Sequence, residues 1–178
     1  MERKVLYKTK WIHLLELKDP DNGVDSYICT HSAWANGQGV AVLPYRHEKA
    51  GGETEYLLRQ EVTPCWGPGV HLSSITGGMD QDGEKPWWCA VRELKEEGGY
   101  LCNEIGRWTH LGTCRSSKAA TTLMHLFAVD LTGCEYTGAE GDGTALEAQA
   151  WCEWRTDPEA AVDPMVGVLI LRSEKMPR

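Results

Sequence analysis

Residues 78–100 read GMDQDGEKPWWCAVRELKEEGGY, and the rest of the chain is organised around them. Pro86 suits a first helical turn, where its missing N–H would have no partner anyway. Gly98 and Gly99 stop a helix with residues that tolerate positive φ. The expected helix therefore covers 85–97. Glu93, Glu96 and Glu97 stand three and four residues apart, which brings all three near one helix face. Like charges at that spacing cost a helix roughly 0.2–0.5 kcal/mol per pair. A hard divalent cation offsets this, because Mg²⁺ favours carboxylate oxygens and keeps several waters. Arg92 adjoins the cluster and is expected to pair with Glu84, fastening the preceding loop to the helix. Gly77 and Gly78 let the backbone come close to a metal or ligand, so a carbonyl there is a candidate further oxygen ligand.

A bare E-x-x-E-E is ordinarily a solvated helix face. The full pattern is more restrictive: Gly78, five residues, Glu84, seven residues, Arg92-Glu93-Leu94, one residue, Glu96-Glu97, one residue, Gly99, Tyr100. It resembles the Nudix box, G-x5-E-x7-R-E-U-x-E-E-x-G-U, with Tyr100 in place of the last bulky aliphatic. The resemblance implies a mixed α/β fold, an α/β/α sandwich around a mixed sheet in which the box forms loop-helix-loop. It also implies that Glu93 and Glu97 are the main metal ligands, with Glu96 helping to bind a further ion and the Gly77 carbonyl contributing. Gly78, Glu84, Arg92 and Gly99 would be structural. Mg²⁺, with Mn²⁺ as a substitute, would neutralise a pyrophosphate and activate water for attack on phosphorus. The water-orienting base often lies outside the box in this superfamily. Glu147 is the first candidate, Glu140 the second, with Glu96 and Glu93 as catalytic candidates inside the box.

Outward from the box, residues 4–18 read as a strand, DPDNG at 19–23 as a turn and residues 26–31 as a returning strand, an N-terminal antiparallel hairpin. Residues 39–45 form a short buried strand ended by Pro44. Residues 55–62 and 71–79 are strand signals before the box; 108–114, 122–131 and 148–154 follow it. Residues 133–146 are rich in glycine and acidic groups and read as a mobile loop. A second helix falls within 157–172. The expected division is an extension over 1–34, a possible dimerisation element, and a Nudix hydrolase domain over 35–178.

The chain has 178 residues, the length of one ordinary domain, with 42% apolar and 25% charged residues. A net charge of -8 disfavours nucleic acid or an anionic membrane as partner. A small anionic substrate remains compatible if a metal and a few cations act locally. There is no membrane-length apolar run and no signal-peptide stretch, so a cytoplasmic location is expected. Seven cysteines without a C-x-x-C pair read as free thiols.

Several stretches resemble the ADP-ribose and nucleoside diphosphate-sugar pyrophosphatase branch. The N-terminal hairpin resembles strands by which those enzymes form intertwined homodimers. YLLRQEV at 56–62 resembles their Arg-Gln strand, making Arg59 a candidate substrate contact. GTCRSSKAATTLMHLFAVDL at 112–131 resembles a Ser-rich loop followed by H-x-F-x-A, with Arg115 and Lys118 as candidate phosphate contacts. Lys118 and Thr121 stand where an acidic residue is common. Trp34, Trp66 and Trp87 are candidates for stacking a base. The expected reaction releases a nucleoside monophosphate and a sugar phosphate. The alternatives are a nucleoside triphosphate pyrophosphatase and a non-catalytic nucleotide sensor, although a sensor should have lost box glutamates and all are present.

Overall fold

The computed structural model describes residues 1–47, 52–141, 143 and 147–175. Its strands form two sheets. The first is an antiparallel meander of β1 (Glu2–Lys8), β2 (Ile12–Asp19) and β3 (Val24–Ser32). The expected hairpin is there between β2 and β3, closed by the DPDNG turn. The stretch read as one strand over 4–18 divides in two, because the Thr9 hydroxyl accepts from the N–H groups of Trp11 (3.1 Å) and Ile12 (3.0 Å). A short polar side chain bonding its own backbone competes with the ladder and turns the chain.

The second sheet has seven strands: β4 (Gln38–His47), β5 (Thr54–Val62), β6 (Val70–Ser73), β7 (Ile75–Gly78), β8 (Trp108–Arg115), β9 (Leu123–Asp130) and β10 (Trp151–Arg155). The order is β10-β5-β4-β9-β8, with β6 beside β5 and β7 beside β4. β4 and β9 run parallel and the other pairs are antiparallel. Pro44 does not end its strand. β4 pairs with β7 through Gly39–Val42 and with β5 through Tyr45–His47, so Pro44 sits where that side changes partner and no ladder bond is demanded of it.

Side-chain alternation on the central strands builds a core on each face. Val40, Val42, Leu57, Phe127 and Val129 point to α1 (Pro86–Gly98), where Cys89, Ala90, Val91 and Leu94 meet them. Ala41, Leu43, Leu58, Leu126 and Ala128 point to α2 (Pro164–Ser173), where Met165, Val166 and Leu169 meet them. The result is a mixed α/β/α sandwich with the box on one face. Each buried Leu or Val contributes roughly 1.5–3 kcal/mol of apolar transfer.

α1 ends at Gly99, whose φ of 74° is left-handed. A Cβ there would also lie 2.3 Å from the Tyr136 ring, so glycine is required twice over. The described part of the 133–146 segment forms no regular element, but it is pinned to the helix end. Glu140 and Gly141 donate N–H bonds to the Glu96 carbonyl (3.0 and 2.9 Å), and Thr137 donates to the Gly99 carbonyl (2.8 Å). Carbonyls in a last helical turn have no partner within the helix, and this segment supplies one. Tyr100 is buried in the core on this face, and its hydroxyl accepts from Trp154 Nε1 (3.2 Å).

The meander docks on the sandwich edge. Thr30 donates its N–H to the Ala119 carbonyl (2.8 Å), and Thr121 donates to the Thr30 carbonyl (2.9 Å). Tyr27 donates its hydroxyl to the Lys118 carbonyl (2.9 Å). The turn after β3, which carries Trp34, is thereby held beside the end of β7.

Asp163 couples the helix on the far face to the sheet. One carboxylate oxygen accepts from Met165 N–H at the start of α2 (2.9 Å), and the other accepts from Ser74 N–H (3.1 Å) and Ser74 Oγ (2.6 Å). Asp163→Ala removes a helix cap and strands two Ser74 donors, a loss on the order of 3 kcal/mol. Urea unfolding should show this as a lower midpoint with an unchanged slope; a midpoint equal to the parent's would refute the coupling.

Candidate active site

Gly77 and Gly78 close β7 and pair with Val40 and Gly39 of β4. The loop after them carries Asp80 and Glu84 to the N-terminus of α1. Arg92, on the second turn of α1, reaches back across this loop. Its Nε donates to Glu84 Oε1 (3.1 Å), and its Nη2 donates to Glu84 Oε2 (3.3 Å) and to the Gly78 carbonyl (3.2 Å). The expected Glu84–Arg92 pair is therefore formed, and it ties loop, strand end and helix together. Nη1 of the same guanidinium lies 2.7 Å from Glu93 and 3.0 Å from Glu96.

Glu93 is 7% exposed and its carboxyl group is seated directly on Gly77. A Cβ at position 77 would lie 1.9 Å from Glu93 Cδ, so this seat exists only because the residue is glycine. Burial pushes the Glu93 carboxyl up to about 7 against the pull of Arg92, with Glu96 adding in the same direction. Next door, the indole of Trp34 lies over Gly78, where a Cβ would be 2.2 Å from the ring. Glu97 turns toward the sheet: Oε1 lies 3.0 Å from Arg59 Nη1, and Oε2 accepts from the Thr76 N–H (3.3 Å).

These groups line a cavity of about 360 Å³. Gly77, Gly78, Asp80, Arg92, Glu93, Glu96 and Glu97 form one wall; Ser32, Trp34, Gln38, Thr122 and Met124 stand opposite or beside it. Larger concavities occur along α2 and beside Trp88, but the box carboxylates Glu93, Glu96 and Glu97 line this one. The donor set of three carboxylates and backbone oxygens suits a hard divalent cation. Among the described residues, no three acidic, histidine or cysteine side chains stand together so that they could hold a metal ion as they are placed. The glutamates lean on Arg92 and Arg59 instead, and a cation would share them with these guanidiniums.

The sequence-level candidates outside the box are distributed as follows. Arg59 is buried on β5 behind Glu97 and does not line the cavity. Arg115 and Lys118 are exposed in and beside the loop that receives the meander, and the Arg115 guanidinium bonds the Thr121 carbonyl. Neither lines the cavity, although Thr122 of the same loop does. Glu147 begins a short 3-10 turn, Glu147–Gln149, and its side chain lies outside the described residues. Glu140 pairs with Lys95 (3.1 Å) at the far end of the helix. Of the three tryptophans, only Trp34 faces the cavity, 44% exposed. Trp87 packs against the core beneath α1, and Trp66 meets His71 on a loop. His125 bonds the Gln38 side chain (3.2 Å) and Phe127 is core. Asp80, Gln38 and Met124 had no signal in the sequence beyond their neighbourhood, since only the strand pairing brings 38 and 124 beside 77.

The family model described as "NUDIX domain" matches residues 36–164. No curated protein sequence matches. Among solved structures, an ADP compounds hydrolase superposes over 98% of this chain and 91% of its own, with a TM-score of 0.63 and 17% identity. A NUDIX hydrolase from Nitrosomonas europaea superposes over 77% of this chain and 88% of its own, with a TM-score of 0.51 and 18% identity. Box spacing, sandwich architecture and a family match over most of the chain agree: the protein belongs to the Nudix family and is one of its pyrophosphohydrolases.

Proposed function

We propose that the protein hydrolyses the pyrophosphate bond of ADP-ribose or another nucleoside diphosphate sugar, with Mg²⁺ as the working cation, giving a nucleoside monophosphate and a sugar phosphate. The observation that carries this reading is a single cavity shared by the box carboxylates and by Ser32 and Trp34 of the N-terminal segment. A likeness in fold that extends over 98% of the chain, and so includes the meander, to a protein called an ADP compounds hydrolase supports the same branch.

Enzymes of this family use divalent metal ions. Glu93, Glu96, Glu97 and the Gly77 carbonyl would hold the cation here. When bound, it supplies positive charge to the pyrophosphate oxygens and makes water easier to deprotonate. The protein's own residues do the rest. Arg92 keeps Glu93 and Glu96 on the cavity wall. A carboxylate, Glu147 or Glu96, takes the proton of the attacking water. Trp34 offers an exposed aromatic face to the nucleobase. Arg115 and Lys118 add cationic charge on the loop beside Thr122, toward the outer phosphate. Positioning and charge supply most of the acceleration in such phosphoryl transfers.

We also propose that residues 1–34 are a distinct element that pairs two copies into a homodimer. Within the meander only Leu15 and Cys29 are fully buried among apolar side chains, while Val5, Leu6, Tyr7, Trp11, Ile12, Tyr27 and Ile28 are exposed. A three-stranded sheet needs an apolar face covered to be stable.

One screen tests the substrate reading: nucleotide sugars, dinucleotides and nucleoside triphosphates with Mg²⁺ or Mn²⁺, with products identified by mass. ADP-ribose should give AMP and ribose 5-phosphate; preferential release of inorganic pyrophosphate from triphosphates would favour the nucleotide-sanitising alternative and overturn this reading. Glu97→Gln keeps the side-chain shape and an acceptor for Thr76, so it should stay folded while turnover falls at least about 100-fold at millimolar Mg²⁺. Gly77→Ala should cost a comparable factor by unseating Glu93; near-parental turnover in both variants would count against the ligand assignment. Tyr7→Glu combined with Ile28→Glu should convert a dimer to a monomer in sedimentation equilibrium, and a parent protein that sediments as a monomer would end the dimer proposal.

A further inference from the structure

Arg59 lies outside the box, on β5, and only 5% of it is exposed. Among the described residues, its guanidinium meets two carboxylates. Nη1 lies 3.0 Å from Glu97 Oε1, and Nε donates to Glu61 Oε2 (3.1 Å). The other Glu61 oxygen accepts from Ser73 Oγ (3.1 Å), and Ser73 stands opposite Arg59 in the β5–β6 ladder. The other Glu97 oxygen accepts from the Thr76 N–H of β7. The Glu97 carboxylate is thus gripped from two strands, on one side by a buried side chain and on the other by backbone.

We propose that Arg59 is a positioning residue that aims Glu97 at the cation and so sets the affinity of the metal site. This rests on the reading of Glu97 as a metal ligand given above. A guanidinium suits the task where an ammonium does not. Its planar fork reaches Glu61 through Nε and Glu97 through Nη1 at once, and Glu61, held by Ser73, fixes the plane of the fork. Each carboxylate oxygen has two lone pairs, so an oxygen that accepts from Arg59 or Thr76 keeps one for a cation. Simple electrostatics argues the other way: a positive charge close to a ligand should weaken cation binding, and its removal should tighten it. The two accounts therefore predict opposite signs.

The test is Mn²⁺ titration of the full-length protein, read from the electron paramagnetic resonance signal of free Mn²⁺, with circular dichroism and thermal melting on each variant. Arg59→Met should raise the Mn²⁺ dissociation constant about tenfold or more, the size of effect usual for a residue that orients a metal ligand. Arg59→Lys should recover little of this, because a point charge cannot span both carboxylates. Glu61→Gln loosens the outer end of the fork without touching Glu97 and should weaken binding by about threefold; it decides the matter if Arg59→Met does not fold. Binding in folded Arg59→Met as tight as the parent's or tighter, full rescue by Arg59→Lys, or an unchanged constant in Glu61→Gln alongside an unfolded Arg59→Met would overturn the proposal. A parent protein that binds no Mn²⁺ would instead remove the metal-site reading itself, and this proposal with it.

Discussion

The guanidinium of Arg92 spends its donors on the Gly78 carbonyl, Glu84 and Glu96, and it also stands beside Glu93 and Asp80. These groups come from three parts of the site: the end of β7, the loop beyond it, and α1. Without this fork the loop has no reason to stay against the helix. Glu93 would then be a nearly buried carboxylate with no counter-charge, which is among the most destabilising arrangements a fold can hold. The three box glutamates also repel one another along α1, and Arg92 and Arg59 offset that repulsion from opposite sides. Asp80, Glu93, Glu96 and Glu97 outnumber Arg92 along the cavity and leave the wall acidic. An acidic wall over backbone oxygens is chemically suited to a small hard cation.

Backbone proximity is the second constraint. Gly77 admits the Glu93 carboxyl group and Gly78 admits the Trp34 indole, each at a distance that a methyl group would forbid. α1 can lie this close to β7 because the residues between them are small or shared: Gly98 approaches Ile75, and Cys89 donates its thiol to the Gly78 carbonyl (3.5 Å). The apolar side of α1 is buried against Val40, Val42 and Phe127, so the helix cannot roll. The carboxylates are therefore presented by a rigid element rather than by a loop, which holds a coordination site to tight tolerances.

Much of this was legible in the chain itself. Spacing alone placed Pro86 at the helix start, Gly99 at its end, Glu84 against Arg92 and the three glutamates near one face, because all these relations are local. Short continuous apolar runs marked the central strands, since Val40 to Leu43 and Leu126 to Val129 each have to satisfy two cores. What was not legible depends on pairing between distant segments. Pro44 looked like a strand end because the change of partner from β7 to β5 cannot be read from one strand. The 133–146 segment looked mobile because its composition carries no sign that its N–H groups meet the carbonyls of Glu96 and Gly99. Arg59 was marked by resemblance as a candidate substrate contact, but its burial between Glu61 and Glu97 follows from three strands and a helix meeting. Trp34 was one of three equivalent tryptophans until the docking of β3 on residues 119–121 carried it over Gly78.

This division between local and distant information has a consequence for how chemistry and selectivity are encoded. The acidic wall is written within one short stretch, from Gly77 to Tyr100, with Arg59 and Thr76 of the sheet holding Glu97 from behind. The facing wall is assembled from Ser32 and Trp34 after the meander, Gln38 at the start of β4, and Thr122 and Met124 at the start of β9. Their side chains can vary with little disturbance of Arg92 or its carboxylates, because Gln38 meets the box through backbone, its carbonyl accepting from the Met79 N–H (3.2 Å). The N-terminal meander is joined to residues 118–122 of the sandwich by backbone and hydroxyl bonds of Thr30, the Tyr27 hydroxyl, and the His31–Thr121 and Ser32–Thr122 side-chain pairs, so its placement determines where Trp34 sits. The facing wall can therefore drift in this architecture by changing a docked sheet, while the acidic wall stays constant.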